Sequence, residues 1–414
     1  NVLIMCAQAS TGLIETWWVA KLGTDALAGM ALVFPGVMLM QMMSAGAMGG
    51  GISSAVARTL GAGRRADANA LVLHALVINC SIGLVFSLLF LLFGAPLYRL
   101  MGGEGPELDA ALQYSNIVFA GNIALWAMNA LASVIRGTGN MLFPALVTCA
   151  GVVVLIPLSP LLIFGFGPLP GLGIAGGGVA MVMFFVGGAA AMLWFILSGR
   201  SVVRLTRTAL GWRYMRDILR VGFLSSVTTL LTNIIIAGAT ALVAFGAGMQ
   251  AVAGFGTGVR LEYLLVPLAF GIGAPLVVLV GTNLGAGQRE RALQIGLMGG
   301  LVAFIATEAI GLSAAIWPEH WLRLFTADPI ALATGASYLR IVGPTYGFFG
   351  LGLALYFASQ GAGRLRWPLI AGFIRLGIAL GGGWLVLYLS DSINAVFYAL
   401  ALAMLVYGLL IALA

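Results

Sequence analysis

Three of the thirteen acidic residues, Glu15, Glu262 and Glu308, stand inside long apolar runs. Two of them have arginines at comparable depth: Arg260 and Arg340 accompany Glu262 and Glu308. An ionised carboxylate at the centre of a bilayer costs a few kcal/mol even on lenient scales, so each acid needs a cation, water or a proton. A carboxyl that has no permanent cation is one that can exchange a proton or take up a metal cation. The chemistry on offer is therefore reversible binding of H⁺ or Na⁺. Counting from the outer ends of the apolar segments at 1.5 Å per residue, Arg260, Glu262, Glu308 and Arg340 all lie roughly 13–18 Å deep. Arg260 and Glu262 are two residues apart and cannot face each other on one helix. The expectation is that Arg340 or Arg260 fixes one glutamate while the other titrates. Pro267 frees the carbonyl of Tyr263, four residues back, which adds a ligand for a cation at Glu262.

Glu15 lies in "LIETWWVAKLG", six residues before the chain's one lysine, Lys21. Gln8, Thr11, Glu15 and Trp18 follow helical spacing and form a single polar and aromatic stripe. Asn233, Tyr263 and Tyr346 are further candidates to meet a substrate, the tyrosines by stacking on a cation. Asn122 and Asn129, like Asn233, are candidates to line a cleft, although an isolated asparagine more often serves as glue between helices; Arg375 reads as a structural partner. The methionine group "VMLMQMM" (37–43) reads as packing.

These residues need membrane helices to hold them. The chain is 61% hydrophobic and 8% charged over 414 residues, where a soluble domain is about a quarter charged. Breaks rich in glycine, proline and charge divide it into twelve apolar segments. They lie near 1–20, 25–57, 69–98, 109–135, 141–166, 171–198, 214–246, 250–283, 291–317, 329–359, 367–389 and 392–414. Each is long enough for a span of about 20 residues. Cys6, Cys80 and Cys149 read as small buried hydrophobes, and His74 and His320 are isolated, so neither a disulfide framework nor a metal centre is expected. Asn1 opens directly into an apolar run, without a cleavable signal peptide.

Basic residues crowd alternate loops. Arg58, Arg64, Arg65, Arg136, Arg289, Arg291, Arg364, Arg366 and the six arginines of 200–220 fall on one side; Lys21, Arg99 and Arg323 fall on the other. The positive-inside rule places the arginine-rich loops and both termini in the cytoplasm. The net charge of +7 is thereby a topology signal and implies no nucleic acid.

"RTLGAGRR" (58–65) matches "TNLGAGQR" (282–289), and "RGTGNMLFP" (136–144) matches "QGAGRLRWP" (360–368). "LYRLM" (97–101) resembles "WLRLF" (321–325), and Tyr114 falls opposite Tyr338. All share an offset of 224 residues, which points to duplication. The offset spans six segments, so the halves are parallel repeats about an axis along the membrane normal. The expected organisation is a six-helix lobe at 1–199, an arginine-rich cytoplasmic linker at 200–212, and a second six-helix lobe at 213–414. Such repeats serve transport by alternating access; no catalytic pair marks an enzyme, and no ring of polar residues marks a channel.

An acid followed by "VAKLGTDALAGMAL" (19–32), then "LGAG" with basic residues, then "RGTGN", resembles the multidrug and toxic compound extrusion (MATE) family. "VGTNLGAGQRERA" (280–292) and "ASQGAGRLRWP" (358–368) extend the resemblance over essentially the whole chain. It implies two six-helix lobes in a V with a central cleft. It also implies an H⁺- or Na⁺-driven exporter of amphipathic, often cationic compounds, acting as a monomer among the lipids of the inner membrane without a cofactor. The family's first-helix acid falls on Glu15, where aspartate is usual, and its eighth-helix glutamate on Glu262. Many members carry Asn-x-x-x-Asp in the fifth helix; here those places hold Leu155 and Ser159, and a sixth-helix threonine becomes Met181. The first-lobe polar cluster is thus depleted, which shifts the expected ion site to the second lobe. A flippase for lipid-linked saccharides, within the same superfamily, is the alternative; it favours a strongly cationic cavity and often has fourteen spans.

Overall fold

A computed structural model describes residues 11–413 apart from Leu13 and Pro168, and leaves out the side chains of Leu169, Tyr263, Leu264 and Pro267. The chain is almost wholly helical. Helical residues begin at 11 and run to the short 3₁₀ turn Ala20–Leu22. Then come α1 (Thr24–Gly61), α2 (Arg65–Leu100), α3 (Gly105–Ala120), α4 (Asn122–Gly137), α5 (Leu142–Phe164) and α6 (Ile174–Leu197). The second half holds α7 (Trp212–Gly285), α8 (Arg289–Ile316), α9 (Pro329–Ala362), α10 (Arg366–Ser390) and α11 (Ile393–Ala412). A two-residue hairpin, β1 (Gly165–Phe166) with β2 (Leu169–Pro170), links α5 to α6.

The breaks have identifiable causes. α7 is two limbs separated at Gly248, where φ 79° and ψ 178° belong to a region open essentially to glycine alone. α3 and α4 meet at a 45° bend and are long and apolar enough for a span only when taken together. α5 carries Pro157 and Pro160 inside it, each removing a helical hydrogen bond. Adding 224 to Pro157 lands inside the π-helical segment Gly377–Gly382 of α10. Helices at corresponding places in the two halves are thus both deformed, by prolines in one and by a glycine-rich π-bulge in the other. Within α9, Pro344 lacks an N–H, and the backbone tightens into the 3₁₀ turn Gly343–Thr345. The Thr345 hydroxyl donates to the Val342 carbonyl at 2.7 Å, satisfying an acceptor that the break exposes.

Among the described residues ten helices are long and apolar enough to cross a membrane, or eleven with the α3–α4 pair counted as one span. Large apolar side chains such as Leu92, Phe93, Val153, Met298 and Leu301 stand exposed along these helices. In water that surface would be untenable; against lipid it is the expected exterior. The protein is an integral membrane protein.

The chain divides into two compact units, the first ending at Gly222 and the second starting at Phe223. The arginine-rich segment 200–222 therefore packs with the first unit. Inside that unit Phe90 stacks on Phe119 with centroids 4.0 Å apart, and Trp126 is sealed from solvent beside Phe86. In the second unit Phe255, Tyr338 and Phe397 form a mutual aromatic cluster with centroids 5.1–6.0 Å apart. That cluster fixes the ring whose hydroxyl enters the site described next.

Candidate functional site

The second unit builds its site on the second limb of α7. Glu262 accepts a hydrogen bond from the hydroxyl of Tyr338 on α9. The Tyr346 hydroxyl, buried and without a hydrogen bond, lies beside this pair. Arg375 of α10, two residues before the π-bulge, lines the same small cavity as this carboxylate. It is 7% exposed and lies between the rings of Phe349 and Tyr407, 5.3 and 5.2 Å from their centroids. Glu262, Tyr338 and Arg375 border a cavity of about 30 Å³, otherwise lined by apolar side chains including Ile235, Phe255 and Met404. That is room for a water molecule or a small cation. An acid, a phenol and a guanidinium around a water-sized space form a site where one charge can be exchanged while another stays fixed.

The guanidinium that shares this cavity with Glu262 is neither of the two expected. Arg260 and Arg340 are both exposed, and neither pairs with an acid among the described residues. Arg260 lies over the Phe325 ring at 5.5 Å. Two residues of helix rotate its side chain roughly 200° from that of Glu262, toward another surface. Glu308 is occupied differently: its carboxylate accepts the Gly347 N–H at 2.6 Å. Gly347 opens the helical part of α9 that follows the Pro344 break, so Glu308 braces that break from α8.

In the first unit Glu15 is fully buried, and neither carboxylate oxygen has a hydrogen-bond partner. Lys21 does not reach it; its Nζ lies over the rings of Trp17 and Trp18, at 3.7 and 4.5 Å. Trp18 also packs edge-on against Phe164. The Glu15 carboxylate rests on Gly177 of α6, where a Cβ would come within 2.6 Å of Oε2 and within 3.7 Å of the Tyr114 ring. Ser159 of α5, flanked by the two prolines, lies beside the carboxyl, and its hydroxyl is likewise buried without a hydrogen bond. The fifth-helix position 159 therefore adjoins the acid although it is serine. Leu155 and Met181 are buried hydrophobes.

Each unit thus brings a glutamate close to a tyrosine: Glu15 and Tyr114 both adjoin Gly177, and Glu262 is bonded by Tyr338. The tyrosines are separated by the 224-residue offset, yet the glutamates come from helices that do not correspond. The tyrosines were visible in the sequence only as repeat markers. Thr11 is buried, and Gln8 lies outside the described residues, as does the Tyr263 side chain with the Pro267 argument attached to it. Asn233 donates to Thr229 O on its own helix at 2.9 Å. Asn122 and Asn129 bond across helices, to Gly83 O at 3.1 Å and Ser44 Oγ at 2.7 Å, as glue residues do. Among the described residues no group of three or more His, Cys, Asp and Glu is placed to hold a metal ion.

An acid buried without partners stabilises nothing. Glu15→Met should raise the melting temperature in detergent, because an uncompensated polar group costs about 1–3 kcal/mol, while transport should fall. A lower melting temperature would mark Glu15 as a structural residue.

The MatE family model matches residues 2–161 and again 223–385. A relative from Deinococcus radiodurans, "Probable multidrug resistance protein NorM", is 30% identical, over 92% of this chain and 85% of its own length. One from Shewanella oneidensis, named "FAD transporter", is 26% identical over 87% of this chain and 79% of its own. Among solved structures, "Crystal structure of MATE in the bent conformation" superposes with a TM-score of 0.90 at 24% identity, covering 99% of this chain and 90% of that one. "Crystal structure of MATE in complex with MaD3S" gives 0.88 at 23%, covering 99% and 91%.

Proposed function

The chain belongs to the MatE family, and from that premise we propose that it is a secondary antiporter of the inner membrane, exporting amphipathic organic compounds in exchange for H⁺ or Na⁺. Relatives named multidrug resistance proteins support the export of small molecules. The observation that carries the coupling is the Glu262–Tyr338–Arg375 constellation around its small cavity. Protonation or cation binding at Glu262 neutralises the charge that faces Arg375. Coupling follows if substrate and ion prefer different states of the transporter; without that differential affinity, neither can drive the other. Glu15 is the second protonatable acid, Glu308 a brace. No cofactor is required, and both termini are assigned to the cytoplasm.

The test is efflux of a fluorescent cationic dye in everted vesicles under an imposed pH gradient, with and without Na⁺. Dye movement that follows the pH gradient in Na⁺-free buffer is expected. Movement that requires Na⁺ and ignores the gradient would assign the site to Na⁺. Absence of movement under either gradient would refute antiport of such compounds.

A second reading concerns substrate charge. Arg260 and Arg340 are exposed within spans, without an acid partner among the described residues. Arginines in such places face water-filled space and favour an anionic group. With a relative named FAD transporter, this supports a dinucleotide as the competing substrate. Everted vesicles given external FAD in place of the dye decide between the two.

A further inference from the structure

A second cavity, of about 260 Å³, lies wholly within the first unit, where the end of α1, the start of α2 and the first turns of α7 meet. Four arginines line it, Arg64, Arg213, Arg216 and Arg220, against two aspartates, Asp67 and Asp217. Both acids are already engaged. Asp67 accepts from Tyr214 Oη at 2.8 Å and pairs with Arg64 at 3.4 Å and Arg213 at 3.8 Å. Asp217 pairs with Arg58 at 2.8 Å. Arg216 and Arg220 meet no acid among the described residues.

The spacing makes that excess positive charge costly. Arg213, Arg216 and Arg220 follow i, i+3, i+7 and share one face of α7. Like charges three and four residues apart on a helix repel by a few tenths of a kcal/mol per pair. Nothing in the packing requires arginine there, since the side chains are exposed. A stripe of this kind is stable when an anion lies over it, and the guanidinium fork matches the oxygens of a phosphoryl group. The setting suits a membrane surface: Trp212, at the head of the same helix, is 68% exposed, as interfacial tryptophans are. Leu71 supplies an apolar wall.

We propose that this cavity is a binding site for a phosphoryl group, carried by an anionic phospholipid headgroup or by a soluble phosphate. The bound group would bridge Arg216 and Arg220 on α7 to Arg64 ahead of α2. It would thereby add to the contacts already holding the linker to α2, where Arg65 donates to Val202 O at 2.9 Å and the Asn69 side chain accepts from Arg204 N at 2.8 Å.

The experiment uses the purified full chain in a neutral detergent. Its melting temperature is followed while phosphatidylglycerol, phosphatidylcholine or inorganic phosphate is titrated in. The comparison is with Arg216→Gln/Arg220→Gln and with Arg99→Gln/Arg364→Gln, which removes equal charge at other exposed positions. The expected result is a saturable rise with phosphatidylglycerol, absent with phosphatidylcholine. Its midpoint should move at least tenfold in the first variant and stay in place in the second. Saturation by inorganic phosphate alone, lost in the first variant only, upholds the site and assigns it to a soluble anion. No saturable rise with either phosphate, or equal weakening in both variants, would overturn the proposal.

Discussion

Glu262→Gln is expected to reduce gradient-driven efflux at least tenfold while leaving the folded protein intact. Glutamine has the shape of glutamic acid and still accepts the hydrogen bond that Tyr338 donates. What it lacks is a second charge state. If the carboxyl at 262 is where ion movement is converted into a change of state, a permanently neutral group there holds one half of the cycle. Tenfold corresponds to about 1.4 kcal/mol of lost coupling, within the 1–3 kcal/mol that linked sites typically show. Equilibrium binding of the dye should change by no more than a few fold, because the amide keeps the size and polarity of the site. Full efflux under the pH gradient would remove Glu262 from the coupling step. The loss should also be independent of external pH between 6 and 8, since the group that titrates is gone. A steep residual pH profile would move the titrating role to Glu15.

Much of this arrangement was legible in the sequence. The breaks that divide the chain are local events, and local residues report them. The gap between the segments ending at 246 and starting at 250 marks the reversal realised at Gly248, whereas the 3₁₀ turn at Gly343–Thr345 lies inside what reads as one segment, 329–359. Glu15 and Glu262 stand out because a charge in an apolar run needs an explanation. What stayed hidden is which side chains meet across helices. Depth placed Arg260 and Arg340 level with Glu262, but depth says nothing of helix rotation, and both are exposed without an acid partner among the described residues. Arg375, more than a hundred residues along the chain, is the guanidinium that faces Glu262, and its aromatic neighbours come from two further helices. Ser159 looked like the loss of a polar partner; it lies beside Glu15 all the same. The destination of Lys21 was equally invisible, because indole rings and a carboxylate six residues away compete for it on equal sequence terms. Tyr114 and Tyr338 show what pattern alone can reach: the shared offset marked them as corresponding, and only the fold shows that each lies close to a glutamate.

Arg375→Met is expected to destabilise the protein by about 1–3 kcal/mol, because the Glu262 carboxylate that shares its cavity loses the nearby positive charge. Methionine fills a similar volume, so little of that loss comes from a cavity. The guanidinium has two roles that the fold superimposes: it faces the Glu262 carboxylate, and it lies over the rings of Phe349 and Tyr407. Adding Glu262→Gln separates them. In that background no carboxylate is left uncompensated, and only the ring contacts, about 0.5–2 kcal/mol, remain to be lost. The destabilisation should therefore be clearly smaller in the double variant, a coupling that melting curves in detergent measure directly. Its pH dependence has a fixed sign. The penalty requires the ionised carboxylate, so it is largest at high pH and fades as the pH falls and Glu262 takes up a proton. If Arg375→Met costs the same with glutamate or glutamine at 262, and the same at every pH, Arg375 serves only the aromatic rings. Glu262 would then have to find its counter-charge in the transported ion itself, which would make the site a cation site and turn the coupling toward Na⁺.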